Sequence, residues 1–294
     1  MAARPTGNLP RMSGPVAVVT DSTASLPDNV VAAGGITVVP LQVVIGSEVY
    51  DEGSDETQRV VTEALRVHTA VSTSRPAPET FAAAYEAAAA AGAAAVVSVH
   101  LSAEVSGTYD SAVLGASRVD VPVLVVDSRQ VGLATGFAAL SAAAVADRGD
   151  GADAVAAAAR DRALAASSYV YVDTLEHLRR GGRIGAAAAL LGSALAVKPL
   201  LTVADGRVEP LEKVRTASRA MARIEELVVQ AAGTGPVDLA VQHLGAERRA
   251  RALADTLAER VPRAAEVWVR EVSAVIGAHV GPGMVAVIVA PYSI

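Results

Sequence analysis

Ala95-Val96-Val97-Ser98-Val99 is followed by Ser102-Ala103-Glu104-Val105-Ser106-Gly107-Thr108, and then by Val121-Pro122-Val123-Leu124-Val125-Val126. The first and last pieces are short apolar runs rich in valine, bounded by turn residues, as buried strands are. Residues 106–117 between them read as a helix. Strand, polar loop, helix and strand in that order imply a parallel sheet covered on both faces. Upstream, residues 16–20 repeat the theme: a β-branched run ends in Asp21-Ser22-Thr23. Strands are expected over 36–39 and 41–45, with Pro40 marking an edge or a bulge. Helices are expected over 56–67 and 79–91, the second with Pro78 in its first turn. Downstream, two Ala-rich helices are expected over 132–146 and 153–165.

The second half has a different rhythm. A strand over 169–172 precedes a short helix over 175–180, stopped by Gly181-Gly182. Residues 197–203 and 207–214 face each other across Asp205-Gly206, a hairpin signal. A helix over 218–231, a strand over 237–242, a helix over 247–260 and strands over 267–272 and 285–290 complete the pattern. Hairpins mixed with helices call for a mixed sheet. The fold class is therefore α/β. A three-layer α/β/α domain with a parallel sheet is expected over 15–167, after a lead-in of residues 1–14. A second α/β sandwich domain with a mixed sheet is expected over 168–294.

Composition narrows the chemistry. The chain has 294 residues, a formal net charge of −6, no cysteine, and 3% aromatic residues against 52% hydrophobic ones. That length buries a core without staples. With no cysteine there are no disulfides and no thiolate zinc sites. Acidic balance and scarce aromatics argue against a nucleic-acid partner. Alanine supplies about one residue in five, well above ordinary usage. Lys198 and Lys213 are the only lysines, and they bracket the hairpin. No apolar run is long enough to span a bilayer, and residues 1–14 lack a signal-peptide core, which reads as a cytoplasmic protein. Phosphate-binding glycine loops, zincin motifs and nucleophile elbows are missing from the sequence.

Four polar clusters remain. Ser72-Thr73-Ser74-Arg75-Pro76 precedes a helix, and Ser102 to Thr108 joins a strand to a helix. Hydroxyls at such positions can donate to an anion beside a helix N-terminus, or can serve simply as N-caps. Arg179-Arg180-Gly181-Gly182-Arg183 ends a helix with cations that can meet an anion or a partner. His279 adjoins Gly281-Pro282-Gly283, on what reads as a rigid loop. The apolar stretch 184–197 is either a wall of a ligand tunnel or an ordinary core helix.

In order along the chain, Thr20-Asp21-Ser22-Thr23, Thr73-Ser74-Arg75-Pro76, Ser106-Gly107-Thr108-Tyr109, Gly181-Gly182-Arg183-Ile184, Lys198-Pro199-Leu200-Leu201 and His279 with Gly281-Pro282-Gly283 resemble the DegV family from about Val16 onward. Arg75 stands where that family usually has Gln, and Ala103 where it has a second Ser. The resemblance implies a fatty-acid-binding protein without catalytic activity or cofactor, its acyl chain buried in a tunnel between two domains. It implies a carboxylate site at Thr73 and Ser106, with His279 and Arg215 in the same polar network. Ser74, Arg75, Ser102 and Gly107 would complete the head-group loops. Arg183 would face a partner, the ATP-binding subunit of a fatty acid kinase, which phosphorylates the bound acid. The ligand would be a long-chain acid such as palmitate, stearate or oleate. The competing expectation is an enzyme, a small-molecule phosphotransferase or a hydrolase using Ser106 and His279.

Overall fold

The computed structural model describes residues 14–67, 69–190 and 198–292. Its first sheet has the order β2 (Ile36–Val39), β1 (Val16–Asp21), β6 (Ala95–His100), β7 (Val123–Asp127), and every pair is parallel. All six residues of β6 are buried, as expected for a central strand covered on both faces. One face is covered by α3 (Pro78–Ala90) and α4 (Thr108–Ala116), through Phe81, Tyr85 and Ala112. The other face meets α5 (Leu133–Asp147) and α6 (Ala152–Ala165).

The second large sheet is mixed. Its order is β10 (Arg207–Val214), β9 (Lys198–Ala204), β8 (Ser167–Tyr171), β13 (Val285–Pro291), β11 (Val237–His243), β12 (Ala264–Glu271). Only β11 and β12 are parallel; the other neighbours are antiparallel. In the β9–β10 hairpin, Asp205 and Gly206 both have positive φ, 51° and 80°, as a two-residue turn of this hand requires. Helices α8 (Ala217–Ala232) and α9 (Glu247–Arg260) cover the outer face with Ile224, Val228, Leu253 and Leu257.

Helices α5 and α6 touch both large sheets. The molecule is thus layered helix, sheet, helix, sheet, helix, and its main apolar cluster runs from Val18 and Val97 through Phe137 and Ala156 to Ala240 and Ile288. This explains why α5 is alanine-rich. Nine of its residues are buried, including Gly136, where a Cβ would overlap the Ala24 carbonyl. Small side chains let both sheets approach the same helix pair.

Four α-helices and strands are not among those expected from sequence. They are α1 (Asp28–Ala33), β4 (Glu48–Asp51), β5 (Val71–Ser74) and α10 (Ala274–Val280). Strands β4 and β5 flank β3 (Gln42–Ile45) in a small antiparallel sheet. Thr73 and Ser74 therefore sit on a paired strand, opposite Val43 and Gln42, rather than on a loop. His279 likewise lies in the last turn of a helix, not on a rigid loop. Ser273 caps that helix, its Oγ accepting from the Ile276 N–H, and Gly281 ends it at φ 77°. A helix α2 (Asp55–Arg66) links β4 to β5, and α7 (Glu176–Arg180) follows β8.

Candidate functional site

The ends of β1 and β6 are tied together by one carboxylate. Asp21 Oδ1 accepts from the Thr23 N–H and hydroxyl, and Oδ2 accepts from the Leu101 N–H at 3.0 Å. His100 Nδ1 lies 3.0 Å from Oδ2, its Nε2 is 2.7 Å from Ser98 Oγ, and the Tyr85 hydroxyl donates to that oxygen. Every member of this chain is fully buried. Although Asp, His and Ser stand in the order of a hydrolase relay, Tyr85 closes the outer end, and Ser98 has no solvent-accessible surface on which a substrate could approach. The network anchors the loop that carries Leu101 to Gly107.

That loop is also held from the mixed sheet. Ser102 Oγ donates to the Gly206 carbonyl at 2.7 Å, and Arg207 pairs with Glu104. Arg129 donates to the Asp205 carbonyl. The tip of the β9–β10 hairpin therefore clamps residues 102–104 while residues 105–107 turn toward a cavity.

The cavity, of about 340 Å³, opens between these pieces. Thr73, Arg75, Ser106, Gly107, Arg183 and His279 line its mouth. Leu101, Val131, Leu178, Val208, Ile276 and Val280 form its apolar wall. A smaller inner cavity of about 60 Å³ shares Val131, Leu178, Val208, Ile276 and Val280, and continues to Leu201, Gln242, Met284 and Ile288. Among the described residues two arginines and no carboxylate face the mouth, so the local charge favours an anion.

Two close approaches build the mouth. Arg75 crosses Gly107 so tightly that a Cβ there would overlap its guanidinium. A Cβ on Gly181 would overlap His279 Nδ1. The glycines of both motifs are thus places where a side chain is excluded to admit another one. His279 Nε2 is 2.9 Å from Thr73 Oγ1. Burial, with Arg183 beside it, pushes the His279 pKa down to about 4, so the imidazole is neutral near pH 7. A neutral ring donating from Nε2 to Thr73 leaves the threonine hydroxyl hydrogen free for an acceptor in the cavity. Ser106 Oγ pairs with Thr108 Oγ1 at 2.9 Å, not with His279. Arg183 Nε donates to the Val105 carbonyl and Nη1 to the Gly181 carbonyl, which stitches two of the motif loops together at the rim.

Of the residues singled out from sequence, Thr73, Ser74, Arg75, Ser106, Gly107, Arg183 and His279 meet at this mouth. Ser102 does not: it is buried on the hairpin clamp. Arg215 does not either; it is exposed, just past the end of β10. None of residues 184–190 lines either cavity, and 191–197, the rest of the expected tunnel wall, lie outside the described residues. The apolar wall comes instead from α10, α7, β10 and the loop before α5. Lys198 donates to the Asp173 carbonyl and carboxylate, a contact between two strand ends away from the mouth.

A larger cleft, about 660 Å³, lies at the other end of α10. Asp28, Glu52, Glu247 and Glu271 line it together with Arg251 and Arg270. Glu52 caps α10 by accepting from the Val275 N–H at 2.6 Å and from Ser22 Oγ, and burial raises its pKa. Among the described residues no group of His, Asp and Glu could hold a metal ion, and no helix is long and apolar enough to cross a membrane.

Two stacked sheets sharing a helix layer, with a hydroxyl-lined mouth over an apolar cavity, define an α/β protein of a known two-sheet class. The chain belongs to the DegV family: the family described as "Uncharacterised protein, DegV family" matches residues 15–292. A DegV domain-containing protein of Streptomyces coelicolor is 55% identical over 278 residues, covering 95% of this chain and 99% of the relative. Among solved structures, a fatty-acid-binding DegV family protein from Thermus thermophilus superposes with a TM-score of 0.89 at 33% identity, over 95% of this chain and all of that one. DegV of Bacillus subtilis, described as a fatty acid binding protein, gives 0.87 at 34% identity with the same coverage.

Proposed function

We propose that this chain binds a long-chain fatty acid, such as palmitate, stearate or oleate, with the acyl chain in the apolar cavity and the carboxylate at Thr73 and Ser106. The observation that carries this reading is the pairing of a mouth with two cations and no carboxylate with an apolar interior. Relatives that are described as fatty-acid-binding and share the fold support it. The division of labour follows from magnitudes. Burial stabilises by about 0.8 kcal/mol per methylene, so a chain of about fifteen contributes ~12 kcal/mol gross. One hydrogen bond to a charged group contributes ~1.5–3 kcal/mol. The cavity supplies affinity, and the hydroxyls orient the head group. His279 orients the Thr73 hydroxyl, and Arg75 offsets the carboxylate charge. Arg215 and Ser102 have no part in holding the carboxylate.

The protein acts as a cytoplasmic carrier rather than an enzyme, and it uses no cofactor. Its partner is the ATP-binding subunit of a fatty acid kinase, which transfers the γ-phosphoryl group of ATP to a carboxylate oxygen and releases ADP and the acyl phosphate. Arg183, exposed at the rim, faces that partner. Residues 15–167 and 168–294 form the two domains between which the ligand lies. Native mass spectrometry of the purified protein is expected to show one co-purified long-chain acid per chain. A protein that carries no lipid and, once delipidated, binds none overturns this reading.

A further inference from the structure

One polar side chain is out of place in the inner cavity. Gln242 lies on β11, a strand whose residues 239–241 are all fully buried and apolar, and it is itself only 2% exposed. Its Oε1 accepts from the Leu133 N–H at 2.9 Å, at the start of α5. That bond sets the orientation of the amide, because the reversed amide would point N–H at N–H. The other end, Nε2, is buried and has no hydrogen-bond partner among the described residues. Gln242 lines the inner cavity and not the outer one, and its amide packs against Gly132, which lines the same cavity, so the side chain belongs to the part remote from Thr73 and Ser106. The cavity around it is otherwise largely aliphatic: Val170, Leu201, Met284 and Ile288.

Buried donors are almost always satisfied. The Oε1 bond to α5 explains why an acceptor stands here but leaves the two N–H groups unexplained. We propose that Gln242 is a specificity-determining residue that donates to an oxygen on the ligand's acyl chain, so that the preferred ligand is a fatty acid with a hydroxyl or keto group in its distal half. The inference rests on the fatty-acid reading above and narrows its substrate class. An unsubstituted chain fills the same space but leaves the amide unpaired, and a site with an unpaired polar group discriminates against the ligand that lacks its partner.

The test is equilibrium binding of stearic acid and a series of hydroxystearic acids, with the hydroxyl moved from mid-chain toward the methyl end. The delipidated wild type is compared with Gln242→Met. At least one positional isomer is expected to bind the wild type about fivefold tighter than stearate, the equivalent of ~1 kcal/mol for one neutral hydrogen bond. In Gln242→Met that isomer is expected to bind more weakly than stearate. If every isomer binds the wild type no better than stearate, the inference is overturned and the fatty-acid reading stands. A preference that survives in Gln242→Met also overturns it, since the donor is then another group. If the wild type binds neither stearate nor any isomer, the fatty-acid reading itself fails. Should Gln242→Met not fold, the wild-type series decides, together with the co-purified lipid: oxygenated acids enriched over their share of the cell's fatty acids support the assignment, and their absence counts against it.

Discussion

The two hollows at opposite ends of α10 are a controlled comparison within one molecule. The larger one is rimmed by Asp28, Glu52, Glu247 and Glu271 with Arg251 and Arg270. The smaller one has Arg75 and Arg183 at its mouth, no carboxylate among the described residues, and an aliphatic interior. Volume alone favours the first as a ligand site; chemistry favours the second. In the polar cleft the charges have counter-charges close by, Glu247 with Arg251 for instance, and most of the lining side chains are polar or charged. At the mouth of the other cavity the two cations have no carboxylate beside them among the described residues, and the wall behind is aliphatic, which is what an acyl chain gains by leaving water. Helix α10 divides the two environments: Ala274, its first residue, faces the cleft, while Val275, Ile276, His279 and Val280 face the cavity.

The sharpest way to break this contrast is to carry the cleft's chemistry into the cavity. Ile276→Glu places a carboxylate in the apolar wall, where an unpaired charge is costly to both fold and ligand. Co-purified lipid is expected to disappear from the native mass spectrum, with a lowered Tm; retained lipid would show that the chain runs elsewhere. Gly181→Ala is next. The added methyl meets His279 Nδ1, so the imidazole must leave Thr73, and fatty-acid affinity is expected to fall by about tenfold or more by calorimetry, the loss of roughly one hydrogen bond to a charged group. The same loss in His279→Ala, and no further loss on combining the two, would trace it to that contact.

The double variant Thr73→Ala, Ser106→Ala removes two donors to a charged group, ~1.5–3 kcal/mol each and so ~3–6 kcal/mol together, and affinity is expected to drop by roughly a hundredfold to ten-thousandfold. Bound lipid should persist at saturating concentration, because the chain burial remains. If the kinase subunit proposed above docks at Arg183, Arg183→Ala is expected to keep lipid content within about twofold while lowering phosphorylation of the bound acid, by ~2 kcal/mol or more where the arginine is an interface hot spot. An emptied cavity in that variant would instead make Arg183 part of the binding site, through its bonds to Val105 and Gly181. The smallest effect belongs to the cleft: Arg251→Ala removes one exposed i,i+4 pair worth ~0.3–0.5 kcal/mol and should leave lipid binding unchanged.

Acid provides a further test. The His279 pKa is lowered from 6.5 to about 4 in the folded protein, because burial and Arg183 disfavour its charged form. Between those values the unfolded chain binds the extra proton, so stability contributed by neutral His279 is complete above pH 6.5 and is lost as pH falls toward 4. In wild type, Tm is expected to fall more steeply over that window than in His279→Gln. His243 in the polar cleft is also lowered by burial, so the comparison of the two slopes, rather than the wild-type slope, isolates His279.

The parallel strands, the Asp205-Gly206 hairpin and the loops at Ser106 and Gly181 are legible because each is written in local chemistry: an apolar run, a positive-φ pair, a helix stop. The strand that carries Thr73 to the candidate site is not. Val71 to Ser74 has too few residues and too many hydroxyls to announce a strand, and it becomes one only because β3 is there to pair with it. Helix α10 carries a signal that could have found it, Ser273 as N-cap and Gly281 as stop. Its seven residues are too short to show a periodic face, and packing stabilises them. Gln242 is invisible for the opposite reason. In sequence it is one polar residue on a strand; only the fold reveals that its neighbours in space are Met284, Ile288 and Leu201.

What the sequence determined by itself is the set of parts: an α/β chain, strands of both kinds, and glycine and hydroxyl motifs whose order is that of the DegV family. Which parts meet was decided by tertiary structure. Thr73, Ser106, Arg183 and His279 come from four separate segments, and no local preference encodes their distance from one another. Likewise Ser102 and Arg215, equally plausible as residues, fall on a buried clamp and on the outer surface. The physical reason is that binding depends on convergence, and convergence is set by the stacking of two sheets on one shared pair of helices.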